Sequence, residues 1–236
     1  MCERPNLHYG HDEFDKYRTS RLETYAKLLS VGIKDDTKIL EIGCYTANLL
    51  DFLPKDIDYY GVDFDGEAIE IARKKGAKVI ATNLNYEDID LNMKFDIVVC
   101  TEVLEHLLNP HKLIQKISSL VKTEGYVLIS LPNENTLYHR FMSLIGEGID
   151  MCAFELYKHL HLPTISQSRN FVSKYFKIIK EEYYIIPSAK ASRSEWIGKC
   201  LTLLPDSSWL ILARFFPGLF ARGVIFLCKK NEFSQE

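Results

Sequence analysis

From residue 38 onward, short apolar runs alternate with stretches whose apolar positions recur every three or four residues. The runs KILEI (38–42), YYGV (59–62), KVIAT (78–82), FDIVVC (95–100) and YVLISL (126–131) predict strands. Between them, NLLDFL (48–53) predicts a helix that stops at Pro54, and GEAIEIARKKG (66–76) a helix that stops at Gly76. NPHKLIQKISSLVKTEG (109–125) predicts a third, with Asn109 as N-cap, Pro110 in the first turn and Gly125 as the stop. Its apolar positions 113, 114, 117, 120 and 121 keep helical spacing. Repeated strand–helix–strand units with continuously apolar strands predict a parallel sheet covered on both faces.

Either side of this core the pattern changes. Residues 14–30 place Phe14, Tyr17, Tyr25, Leu28 and Leu29 on an amphipathic helix ahead of the first strand. Residues 133–165 break the alternation with aromatic and histidine positions, which predicts an inserted helical lid rather than a second domain. The rhythm then resumes with a helix through Phe176, capped by Ser166 or Ser168, and with strands KIIKEEYYII (177–186) and GVIFLCKK (223–230). Residues 187–222, between those strands, form a long aromatic and apolar insertion. The expectation is one domain over 1–236: an N-terminal helical cap (1–37), a core (38–132), the lid (133–165) and a C-terminal part of the sheet (166–236).

Composition narrows the class. With 47% hydrophobic residues in 236, a large core is available. A net charge of −3 without a basic block argues against a nucleic-acid partner. Cys2, Cys44, Cys100, Cys152, Cys200 and Cys228 form no Cys-x-x-Cys pair, and Cys44 and Cys100 end apolar runs. That pattern fits buried free thiols and a reducing, cytoplasmic setting. MCERPNLHYGHDEFDKYR at the start lacks the apolar core of a secretory signal. WLILARFFPGLFARGVIFLC (209–228) is interrupted by Arg214, Arg222 and Pro217, so it predicts a buried helix–turn–strand, with contact to a membrane surface as the alternative.

The stretch ILEIGCYTANLL (39–50) carries the candidate chemistry. In open parallel sheets, ligands bind beyond the carboxyl ends of the strands, where a strand–turn–helix offers backbone amides and an acid on the next strand takes ribose hydroxyls. Asp63 follows Gly43 by twenty positions, the separation such an acid needs. A dinucleotide enzyme would also need glycines at 45 and 48 to let a pyrophosphate approach. Tyr45 and Asn48 stand there, which disfavours a nicotinamide dehydrogenase.

These residues resemble the first motif of the class I S-adenosylmethionine-dependent methyltransferases, in the small-molecule group that includes the ubiquinone-biosynthesis O-methyltransferases. Glu41 to Ala47 align with its acid-x-Gly-x-Gly-x-Gly pattern, with Tyr45 and Ala47 in place of glycines. YYGVDFDGEAIEIARKKG is similar to the second motif, ATNLN to the third, FDIVVCTEVLEHLLNP to the fourth, and HLHLPTISQSRNFV to the segment after the lid. The likeness runs over roughly 30–185. It implies a Rossmann-like, doubly wound, mostly parallel seven-stranded sheet with an antiparallel last strand, and S-adenosylmethionine as methyl donor. It further implies that Glu41, Gly43 and Tyr45 hold the methionine half and that Asp63 binds the ribose. By the same likeness Phe64, Asn83 and Leu84 border the adenine, and carbonyls at Cys100 and Thr101 face the ammonium.

Methyl transfer from a sulfonium rests on aligning the acceptor and excluding water. A hydroxyl acceptor gains from a base, and histidine suits neutral pH. His106, just past the fourth strand, is the first candidate, with His159 and His161 of the lid segment next. The His159-x-His161 spacing resembles that of metal ligands, but without a further cluster no metal is expected. The aromatic lid and 187–222 suggest an aromatic or lipid-like small-molecule acceptor, for which Arg169 or Arg193 could meet an acidic group. The reading from a different class is a non-catalytic protein that binds S-adenosylmethionine or S-adenosylhomocysteine.

Overall fold

The structure is a computed structural model, and it describes residues 11–146, 159–185 and 205–230. Helix α1 (His11–Leu29) precedes strand β1 (Lys38–Ile42). Then come β2 (Asp58–Asp63), α2 (Gly66–Lys74), β3 (Lys78–Ala81), β4 (Phe95–Thr101), α3 (Pro110–Leu120) and β5 (Val121–Pro132). The chain continues through α4 (Leu137–Leu144), α5 (Ile165–Ser173), β6 (Phe176–Tyr184), α6 (Asp206–Phe215), α7 (Pro217–Phe220) and β7 (Gly223–Lys230). The seven strands form one sheet in the order β3-β2-β1-β4-β5-β7-β6. Pairs among β1 to β5 are parallel, and β7 runs antiparallel to both β5 and β6. The direction of winding reverses between β1 and β4, so the ligand crevice of such a sheet opens beyond their carboxyl ends.

Strand alternation divides the core. Leu40, Ile42, Val98, Cys100, Val127 and Ile129 face one side and pack with Leu113, Ile114 and Ile117 of α3 and Val172 of α5. Ile39, Ile97, Val99 and Leu128 face the other and pack with Tyr25, Leu28 and Leu29 of α1 and Ile69 and Ala72 of α2. Burial on both faces explains why the strands look continuously apolar. Cys44, Cys100 and Cys228 are buried free thiols, which meets the expectation for the two that end apolar runs.

Several local expectations are corrected. NLLDFL forms a short 3-10 helix, Asn48–Phe52, not an α-helix. The helix from Asn109 stops at Leu120, because Val121 turns extended and pairs with Phe95. Gly125 therefore lies within β5, where a β-carbon would sit 2.8 Å from the Asp96 carbonyl. Helix α5 is capped by Thr164, not by Ser166 or Ser168: Thr164 accepts from the Gln167 amide while the Gln167 side chain accepts from the Thr164 amide. The lid contributes α4, and 147–158 lies outside the described residues, as do 186–204 of the apolar insertion. Within 209–228, β7 is buried as expected, but Leu210, Ile211, Phe215 and Phe216 of the helical part are exposed. No described helix is long and apolar enough to cross a membrane.

Candidate functional site

The loop after β1 begins at Gly43, whose φ is 73° and where an added β-carbon would lie 2.3 Å from Val103 Cγ2, so there is no room for a side chain. Tyr45 (φ 46°) and Ala47 (φ 50°) also adopt left-handed backbone, so the loop keeps glycine-like geometry without the glycines. The Gly43 and Cys44 amides donate to the Val62 carbonyl, tying the loop to β2.

Asp63 ends β2 and is buried, with one oxygen accepting from the Tyr45 amide at 2.7 Å. Its other oxygen accepts from the amides of Phe64 (2.8 Å) and Asp65 (3.0 Å). Asp65 in turn caps α2 by accepting from Glu67 and Ala68, which fixes the turn that presents Phe64. Phe64 is exposed beside this turn. In the next loop, Asn83 uses its side-chain oxygen on the Asn85 amide, and Leu84 packs against the core.

Glu41 lies under the loop, buried, with the Tyr59 hydroxyl donating to it. Burial pushes its carboxyl up to about 8, against the Tyr59 hydrogen bond that lowers it. Arg18, which sequence reasoning passed over, carries its guanidinium 5.9 Å above the Tyr45 ring and adds a positive charge near Glu41.

Beyond β4 the backbone is held in an unusual state. Glu102 has φ 56°, and its carboxylate accepts from the Ser130 hydroxyl at 2.8 Å and the Tyr184 hydroxyl at 2.9 Å, with Arg21 at 3.5 Å. A short 3-10 turn, Leu104–His106, follows. Glu105 is buried, and neither of its carboxyl oxygens has a hydrogen-bond partner among the described residues. Burial, and then the charge of Glu102, push its carboxyl well above the usual range. His106 Nε2 stands 4.0 Å from Glu105 Oε1, and the His106 ring meets that of His159 edge-on at 4.7 Å.

The structure thus brings His106 and His159 together and adds Glu105, which no sequence signal had singled out beyond its place in the fourth motif. One donor atom from each of Glu105, His106 and His159 lies within 4.8 Å of the others. Such a carboxylate–imidazole set can pass protons or hold a divalent cation. His161 is placed differently: its Nε2 donates to the Leu107 carbonyl at 2.9 Å, bracing the segment after the lid. Arg169 is engaged by Glu181 at 2.6 and 2.9 Å, so it does not present a free cation to a ligand, and Arg193 lies outside the described residues.

Known proteins with these features converge on one family. Residues 9–175 match the family model described as "Methyltransferase domain". A ubiquinone biosynthesis O-methyltransferase of Glaesserella parasuis is 33% identical over 124 residues, covering 48% of this chain and 52% of the relative. That of Pectobacterium carotovorum is 30% identical over 105 residues, covering 42% and 44%. The chain therefore spans about half the length of the relatives it matches. Among solved structures, coclaurine N-methyltransferase bound to N-methylheliamine and S-adenosylhomocysteine has a TM-score of 0.61 at 15% identity, covering 90% of this chain and 72% of that one. Magnesium protoporphyrin IX methyltransferase from Synechocystis, with S-adenosylhomocysteine bound, has a TM-score of 0.61 at 14% identity, covering 94% and 88%. These likenesses show the same Rossmann-like fold. The matched span covers most of the described core, and the chain belongs to the methyltransferase domain family, whose methyl donor is S-adenosylmethionine.

Proposed function

We propose that the protein transfers the methyl group of S-adenosylmethionine to a hydroxyl oxygen of a small aromatic or lipid-like molecule. The observation that carries the hydroxyl reading is the cluster of Glu105, His106 and His159 beyond β4. An amine acceptor presents a lone pair already, whereas a hydroxyl gains most from groups that remove its proton. The names of the relatives, O-methyltransferases of ubiquinone biosynthesis, support the same choice.

On this reading Gly43, Tyr45 and Glu41 surround the methionine half of the donor. Arg18 faces its carboxylate, and the Thr101 carbonyl its ammonium. Asp63 accepts from a ribose hydroxyl with the lone pair left on the oxygen that meets the Tyr45 amide, while Phe64, Asn83 and Leu84 border the adenine. The exposed apolar residues of α4 (Leu137, Phe141, Leu144) and α6 (Leu210, Ile211) favour a hydrophobic acceptor, one that could be collected at a membrane surface.

Calorimetric titration with S-adenosylhomocysteine, using NADH as the control, tests the cofactor. Transfer of labelled methyl from S-adenosylmethionine to catechol then tests the reaction. Saturable binding of S-adenosylhomocysteine alone, followed by labelled ether product, is the expected result. Binding without turnover on catechol or longer-chain phenols would favour the non-catalytic reading.

A further inference from the structure

Glu134 lies just after β5, buried, among three nitrogen-bearing side chains. Its Oε1 is 3.1 Å from His159 Nδ1, and its Oε2 is 3.0 Å from Arg222 Nη1 and 3.6 Å from His139 Nε2. Burial alone would raise its carboxyl. The His159 hydrogen bond and then the charge of Arg222 act against that and hold it down at about 2, so Glu134 is a carboxylate at neutral pH.

The partners can be told apart by their donors. A guanidinium only donates, so His139 Nε2, 2.9 Å from Arg222 Nη1, accepts. His139 Nδ1 then donates to the Thr136 hydroxyl at 3.0 Å. His159 has no such guanidinium against it in the described contacts, and its Nδ1 faces a carboxylate, which only accepts. The neutral form of His159 therefore carries its proton on Nδ1 and a lone pair on Nε2. Its ring lies edge-on to His106, beside Glu105.

Resting on the hydroxyl reading above, we propose that Glu134 is a positioning residue that fixes His159 as the Nδ1–H tautomer, and that His159 Nε2 is the base for the acceptor. In the step, Nε2 takes the hydroxyl proton as the acceptor oxygen forms a bond to the donor's methyl carbon. The methyl–sulfur bond breaks with its electron pair returning to sulfur, which neutralises the sulfonium. The Glu134 carboxylate, unchanged, faces the imidazolium so formed. Facing His159 are Glu134, Glu105 and His106, with Arg222 and His139 held on the far side of Glu134.

The test uses the full chain saturated with S-adenosylhomocysteine for spectroscopy, and catechol as acceptor for kinetics. Nitrogen-15 spectra of labelled histidine should show His159 as the Nδ1–H form, and Glu134→Ala should mix its tautomers. Glu134→Ala should lower kcat by about 10- to 100-fold, the range seen when an orienting partner is removed. KM for S-adenosylmethionine should hold, and the acid limb of the pH profile should move to lower pH. Glu134→Asp should recover part of the rate, and Glu134→Gln should keep the tautomer but move the acid limb. These two serve if the alanine variant does not fold. An unchanged pH profile and rate in folded variants would overturn the assignment. So would a His159 Nε2 signal that moves on adding MgCl2 or MnCl2 with activity lost to EDTA, since that nitrogen would then be a metal ligand. If the wild type transfers no methyl to any phenol, the hydroxyl reading and the base role fall together. The tautomer spectra still decide whether Glu134 orients His159.

Discussion

The carboxylate of Asp63 accepts the amide proton of Tyr45 at 2.7 Å, across the gap between the loop after β1 and the end of β2. On the proposed reading, one side chain both shapes the loop after β1 and offers its remaining lone pair to a ribose. Asp63→Ala should weaken S-adenosylhomocysteine binding by about 1.5–3 kcal/mol, the range for hydrogen bonds to a charged group. Asp63→Asn, which can still accept from the Tyr45 amide, should lose less. Calorimetry on the two folded variants measures the difference, and equal affinity to wild type in both would remove Asp63 from the site.

Much of this is legible in the chain. The spacing from Gly43 to Asp63 and the alternating apolar runs predict the parallel core, and β1 to β5 follow them. What escapes is set by contacts distant in sequence. Val121 leaves its helix because it pairs with Phe95. Glu134 becomes informative only when the fold brings His159, His139 and Arg222 around it. Glu105 looks like any charged residue until both its oxygens are found buried and unpartnered among the described residues. The Thr164–Gln167 box is different, because it is local and readable, yet the serines beside it are the more conspicuous caps.

Gly43 should resist every substitution. A methyl group there meets Val103 Cγ2 at 2.3 Å and inherits a left-handed backbone, a conformation that costs a residue with a side chain roughly 1–2 kcal/mol. Gly43→Ala should lose at least that much stability in urea melts and should bind S-adenosylhomocysteine more weakly, because Val103 precedes the Glu105–His106 turn. A variant with wild-type stability and affinity would show that the loop relaxes freely.

The cap of α5 is separable from the site. Thr164→Ala removes the hydrogen bond to the Gln167 amide and should destabilise the protein by about 1 kcal/mol. Affinity for S-adenosylhomocysteine should not change, since α5 packs chiefly on β6, β5 and α7. A loss of affinity equal to that of Asp63→Ala would tie α5 to the cofactor side.

Glu41 should make the protein less stable as pH rises. Burial raises its folded-state value from 4.5 to about 8, so the folded protein keeps a proton that the unfolded chain releases above pH 4.5. Unfolding free energy should fall between those limits and level off above the upper one. Glu41→Gln, which can still accept from Tyr59, should remove that slope. Relative to wild type it should gain on the order of 3 kcal/mol on going from pH 5 to pH 8, since a proton held by only one of the two states is worth about 1.4 kcal/mol for each step of one in pH. Urea melts of both proteins at the two pH values give the difference directly. If Glu41 borders the donor's methionine half as proposed, saturating S-adenosylhomocysteine should shrink the wild-type slope, because the ligand's ammonium favours the charged form of Glu41. A wild-type slope that is already flat without ligand would mean that Glu41 is ionised under the loop and meets the donor as a preformed carboxylate.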